Sequence, residues 1–151
     1  EAGLLGVRSF AASPPVPLST FVAAFNFDTV ALAPAESPVG FVGQGRTPLD
    51  GIILDVMEAA DRRLGDQDFA AQFVQRQDGW VLLQKGVPTV FLSSAFGSAD
   101  LLNAYLDGPY HSPADEIDQV ELGGAIDDLL LHAVLIKRIA DPAQYLPSFS
   151  E

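Results

Sequence analysis

Residues 88–93, Pro-Thr-Val-Phe-Leu-Ser, constrain the fold more than any other stretch. Val90, Phe91 and Leu92 form an unbroken apolar run, with Lys85-Gly86 before it and Ser93-Ser94 after it. A strand with one wet face alternates apolar and polar side chains, whereas a continuous run belongs in a sheet covered on both faces. Such a sheet needs helices above and below, and the chain offers them. Short helices are predicted over Leu4–Ala12, Gly79–Lys85 and Ala99–Leu106, and longer ones over Pro48–Leu64 and Glu121–Ala140. Phe21–Phe27 reads as a second buried strand and Val39–Gly43 as a third, with Phe69–Val74 a strand or edge segment. The layout is an alternating α/β one.

Helical periodicity assigns faces. In the Pro48 helix, Ile52, Val56, Ala59, Ala60 and Arg63 share one side, while Asp55, Glu58, Asp61 and Arg62 form a solvated face and Gly65 a C-cap. In the last helix, Leu122, Ile126, Leu129, Leu130, Ala133, Ile136 and Ala140 form a stripe expected to face the core. Asp127 and Asp128 near its start and Lys137 and Arg138 at its end suit the helix dipole. His132 on this helix has no acidic neighbours of its own and reads as structural. Asp141-Pro142 ends the helix, and the tail to Glu151 is expected to pack loosely.

Composition removes several function classes. With 151 residues the chain is long enough for one core, and residues 1–151 read as a single domain. A net charge of −12 argues against nucleic acid, whose phosphates need a basic surface. The absence of cysteine rules out a disulfide framework and a thiolate metal site. No apolar run reaches the ~20 residues of a membrane span. The Gly43-Gln-Gly45 turn lacks the Lys-Ser/Thr of a phosphate loop, and Ser93-Ser94 lack the Gly-x-Ser-x-Gly of a nucleophile elbow.

Two places carry residues suited to metal chemistry. Asp28 stands at the C-terminal end of the Phe21–Phe27 strand, where open α/β sheets hold their ligands, or else it caps a turn. His111 lies in Gly108-Pro-Tyr-His-Ser-Pro-Ala-Asp115, a loop stiffened because Pro113 drives Ser112 towards extended geometry. Neutral imidazole is the commonest side-chain metal ligand.

Four pieces occur in order: Glu1-Ala-Gly-Leu-Leu-Gly, Asn26-Phe-Asp28, Lys85-Gly-Val-Pro-Thr-Val-Phe-Leu92 and Tyr110-His-Ser-Pro-Ala-Asp115. The ordered set resembles the catalytic domain of the M28 family of zinc peptidases, from Glu1 to about Ala140. The resemblance implies a mixed, largely parallel β-sheet flanked by helices, incomplete in this chain, and a zinc-dependent exopeptidase, most often an aminopeptidase. It makes Glu1, Asp28 and His111 ligands of two zinc ions. The general-base glutamate would immediately precede Glu1, and a further histidine ligand and the bridging aspartate would lie in a missing upstream half. Two divalent metals together polarise a peptide carbonyl and activate water. The 151-residue piece alone is therefore expected to be inactive. The resemblance favours a periplasmic or secreted setting and a peptide substrate.

The sequence departs from the family at Arg76-Gln-Asp-Gly79, where many members have Arg-Ser-Asp-His beside the substrate pocket. Arg76 and Asp78 are kept. Trp80 either lines that pocket or packs; Tyr110 is either pocket wall or core filler. Asp115 either orients His111 or its loop, or caps the turn at Glu116-Ile117. The rival to a peptidase is a non-catalytic, peptidase-like binding domain that keeps the fold without the metals.

Overall fold

The computed structural model describes residues 3–147. Within it the 88–93 segment is the central strand. β1 (Ala24–Phe25) pairs in parallel with β3 (Thr89–Val90), while β2 (Gly40–Phe41) pairs antiparallel with β4 (Leu92–Ser93). Ala24 and Asn26 donate to the carbonyls of Pro88 and Val90 on one side, and Val42 donates to that of Phe91 on the other. The sheet is mixed and its strands are short. Only the middles of Phe21–Phe27 and Val39–Gly43 form ladders, because prolines and turns crowd both ends.

Successive side chains of this strand enter opposite layers, as a period of two requires. Val90 and Leu92 join Phe41, Ile53, Met57, Leu131 and Leu135 between the sheet and two helices, α2 (Asp50–Ala59) and α6 (Gly123–Ile139). Phe91 joins Phe69, Val74, Phe96 and Leu102 on the other face. There the rings of Phe69, Phe73, Phe96 and Phe91 follow one another edge to face at 5.2, 5.1 and 5.0 Å, a favoured aromatic geometry. α1 (Leu5–Ala12), α4 (Gly79–Leu83) and α5 (Ala99–Leu106) complete the helical layers.

Three expectations are corrected. Phe69–Val74 is helical: α3 (Gln67–Ala70) runs into a 3₁₀ segment, Ala71–Arg76. Asp66 sets its start, its carboxylate accepting from the Phe69 N–H at 2.9 Å as an N-cap. Second, α2 ends at Ala59, before Gly65, because Asp61 takes a left-handed φ of 53° and turns the chain inward. Gly65 instead lies against Gly97, where a Cβ would collide with the Gly97 backbone. Third, the α6 stripe faces outward. Gly124, Asp128, Leu131, His132, Leu135 and Ile139 are buried, while Leu129 and Leu130 are each 63 % exposed.

A buried polar network replaces the solvated face expected at Arg62 and the dipole role expected at Asp128. Arg62 Nη2 donates to Asp128 Oδ1 at 2.9 Å and to Ser94 Oγ at 2.9 Å. Asp128 also accepts from the Ser94 N–H at 2.6 Å and hydroxyl at 2.8 Å. The pair's side chains are only 11 % and 5 % exposed. Removing one partner strands the other charge, so Asp128→Ala is expected to cost about 3–5 kcal/mol in urea unfolding, with much of that recovered in Arg62→Met/Asp128→Leu.

One turn on, the His132 ring meets the Asp128 carbonyl at 2.7 Å through Nδ1. A carbonyl only accepts, so Nδ1 carries the proton, and Nε2 is buried without a partner. Burial lowers the His132 pKa below 6.5 and the Arg62 charge adds to this, outweighing the opposing Asp128 contacts. The unfolded chain therefore takes up this proton first as pH falls. Stability from the neutral ring is full above pH 6.5 and declines below it, until the folded pKa is reached. Urea midpoints between about pH 7.5 and 5.5 should fall further for the native chain than for His132→Leu.

Candidate functional site

Asp28 follows β1 and lies exposed at the carboxyl end of the sheet, the position expected for a ligand-holding residue. The segment after it is a pinned strap. Glu121 and Gly124 donate backbone N–H groups to the carbonyls of Ala31 and Ala33, and Asp127 accepts from the Glu36 N–H at 2.7 Å. Next to Asp28, Thr29 is held at φ 51°, and its hydroxyl donates to Asp28 Oδ1 at 3.2 Å. A β-branched residue in the left-handed region is strained.

His111 reaches the same region from the loop after α5. The Tyr110 N–H returns to the Tyr105 carbonyl, and the Ser112 N–H and hydroxyl both donate to Pro109. His111 itself sits at φ 56°, with the Tyr110 ring 3.9 Å from its own. Of the readings of Asp115, the one that it orients the histidine loop fits; no side chain caps the turn at Ile117. The Asp115 carboxylate accepts from the Tyr105 hydroxyl at 2.9 Å, tying the loop back to α5. Burial, then the Asp115 carboxylate, push the Tyr105 phenol above its ordinary pKa, so it stays the donor.

Asp28 and His111 line one cleft together with Gly3, Leu4, Arg8, Gln75, Arg76 and Tyr110. Gly3 (φ 80°) and Leu4 (φ 61°) add two more left-handed residues to its rim. Strained backbone collects at functional sites because the surrounding fold must hold it. A second recess opens from the same wall, sharing Asp28, Arg76 and Tyr110 and running inward over Phe73, Phe91, Phe96 and Leu102. Its cavity volume is small, about 70 Å³. The Arg76 guanidinium lies 5.5 Å from the centre of the Phe73 ring, within cation–π range.

Tyr110 is thus a wall of both recesses. Trp80 packs against the second core, and Asp78 is exposed at the start of α4; neither lines the cleft. Gln77, by contrast, is buried and lines the inner recess. The Thr89 methyl and the Gln77 side-chain oxygen together occupy the space that a Cβ on Gly79 would need, so the two departures from the family pattern lie against each other. Glu1 lies outside the described residues. Among the described residues no three His, Asp or Glu side chains converge as a metal-holding group. Asp28 and His111 share the cleft as two side chains of types that can bind a metal.

Sequence reading missed Arg8, Thr29, Phe73 and Tyr105. Nothing marks Arg8 or Thr29 in the sequence, because their place depends on how the strap and α1 meet. Tyr105 was discoverable: it sits one residue inside the end of a helix that leads into the histidine loop. Relaxing the strain gives a test of this cleft. Thr29→Gly should raise stability by about 1 kcal/mol in urea unfolding, since it removes the left-handed penalty of a β-branched residue. Tyr105→Phe should lose roughly 0.5–1.5 kcal/mol and speed hydrogen exchange across 109–115.

No curated protein and no solved structure matches the chain. The family model described as Peptidase family M28 matches residues 1–133, most of the length and all of the cleft described above. The chain belongs to peptidase family M28.

Proposed function

We propose that this chain carries part of the active site of a zinc-dependent exopeptidase, an aminopeptidase in the first reading. Residues 1–151 are then the C-terminal part of its catalytic domain. The observation that carries the proposal is the meeting of Asp28 and His111 in one cleft, although they come from separate loops. Their chemistry suits a divalent metal. The Asp28 carboxylate has only the neighbouring Thr29 hydroxyl as partner among the hydrogen bonds of the described residues, and the imidazole is exposed. Oxygen and nitrogen donors of these kinds are the ones zinc takes.

Zinc, when bound, supplies a polarised substrate carbonyl and a water acidified to near neutral pKa. In this reading Asp28 and His111 hold the metals with Glu1. The tilted Tyr110 ring packs against the imidazole and fixes it, and the Tyr105–Asp115 hydrogen bond holds the loop. The inner recess receives the apolar side chain of the residue whose carbonyl is attacked. Proton transfer falls to the glutamate expected before Glu1. The 151-residue chain alone therefore hydrolyses nothing, and the complete polypeptide acts on peptides.

The test is zinc titration and hydrolysis by the complete polypeptide. Asp28→Asn and His111→Ala should each weaken zinc binding by at least the ~10–100-fold lost with a mere supporting group, and abolish turnover. Unchanged affinity in both variants would favour the metal-free binding domain.

A second reading has its own observation. Arg8 and Arg76 both line the cleft of a chain with only 8 basic residues against 20 acidic ones. Guanidinium groups recognise carboxylates, as in a free peptide C-terminus. If the enzyme is a carboxypeptidase, C-terminal amidation of a peptide will abolish hydrolysis and N-acetylation will not. An aminopeptidase gives the reverse.

A further inference from the structure

Gln77 lies at the wall of the inner recess and is only 5 % exposed. Its amide is half satisfied. Nε2 donates to the Val74 carbonyl at 3.3 Å, while Oε1 is buried with no hydrogen-bond partner among the described residues. Turning the amide over would set two carbonyl oxygens against each other, so the Val74 contact fixes which atom is left over. A buried acceptor without a donor is costly, and native proteins keep few of them.

The neighbours decide from where a donor can come. On one side Oε1 lies so near Gly79 that a Cβ there would be 2.6 Å away, and the Thr89 methyl fills the same space. Carbon-bound hydrogens do not satisfy an amide oxygen, and the Thr89 hydroxyl is committed to the carbonyls of Gly79 and Val87. The recess is the open space that Gln77 borders. Three of its wall residues, Asp28, Arg76 and Tyr110, also face the outer cleft. Of the rest, only Thr29 and Gln77 are polar, and the Thr29 hydroxyl is donated to Asp28. Phenylalanine and leucine side chains make up the remainder, apart from Gln77 an apolar pocket around one acceptor that lacks its donor.

We infer that Gln77 is a specificity-determining residue: the inner recess selects a short side chain with a neutral hydrogen-bond donor on an apolar body, threonine in first place, over its apolar isostere. Size sets the length, because a cavity of about 70 Å³ holds roughly five water-sized groups and is too small for an indole or a phenol. Charge sets the neutrality, because a lysine or arginine side chain would meet the Arg76 guanidinium on the same wall. The apolar walls take the carbon atoms, and the hydroxyl reaches Oε1. Discrimination comes from the loss: an apolar side chain of equal size excludes water from Oε1 and leaves it unpaired. That the bound group is an amino-acid side chain rests on the proposed peptidase reading, and the inference narrows the side chain assigned to this recess to one that carries a donor.

The test reads binding and hydrolysis separately. Free L-threonine and L-valine differ by a hydroxyl for a methyl, have no scissile bond, and are products of an exopeptidase working from either end. Each is titrated into the zinc-loaded full-length protein and followed by NMR, with the Gln77 side-chain carbonyl labelled with ¹³C. Threonine should bind at least ~10-fold more tightly than valine, and the Gln77 carbonyl resonance should move downfield with threonine only. In Gln77→Met the preference should vanish while valine still binds. Equal affinities, no binding of either amino acid, or a carbonyl resonance that threonine leaves in place overturns the inference. So does a threonine preference that survives in Gln77→Met; the native titration decides even where that variant fails to fold. Cleavage of Thr-Gly-Gly, Gly-Gly-Thr and their valine counterparts is measured on the same protein. Selective binding without cleavage of any peptide sinks the peptidase reading and leaves a selective binding site, whereas cleavage without preference for threonine sinks this inference alone.

Discussion

The ion pair between Arg62 and Asp128 is the tie on which the arrangement depends. It joins the chain leaving α2, the end of the central strand at Ser94 and the second turn of α6. Apolar packing alone would let these three slide, since the Val, Ile and Leu side chains between them are of similar size. Charge and hydrogen-bond geometry fix one register. Such a pair adds little net stability compared with a well-packed apolar substitute, but its loss from one side is costly. Its effect reaches the cleft, because the strap that carries Asp28 is itself hydrogen-bonded to the first turn of α6.

The central strand was legible in the sequence because its reason is local. Three consecutive apolar residues between turns demand two covered faces, and Val90 and Phe91 enter different cores as that demand requires. Helix α5 was legible to the residue, since Ser98 caps it and the chain turns at Asp107. The face of α6 was not. Its i, i+4, i+7 stripe is real, but the opposite side is apolar too once His132 and the paired Asp128 are counted as interior residues. Periodicity cannot rank two apolar faces, and only the partner of Asp128, sixty-six positions earlier in the chain, decides between them.

The candidate site divides in the same way. Asp28 and His111 could be named from residue type, strand end and loop stiffness, together with the family pattern. Their convergence depends on tertiary placement that no local signal encodes. The left-handed backbone at Thr29 was likewise hidden, since a β-branched residue disfavours it, whereas histidine is among the types that adopt it more often. Local preference loses at Thr29 to the packing around it, as happens where a fold holds backbone for a site rather than for stability.

The close approach of Gly65 to Gly97 belongs to a larger feature. A side chain at Gly40 would strike Phe96, one at Gly97 would strike Pro38, and one at Gly65 would strike Gly97. Three separate stretches of backbone therefore touch with nothing between them, well away from Asp28 and His111 in the sequence. In a mutational survey scored by activity, these positions would look as intolerant as the ligands proposed at Asp28 and His111. Their intolerance would report the assembly of the scaffold, so a map of sensitive residues in this protein has two centres, and only one of them is chemical.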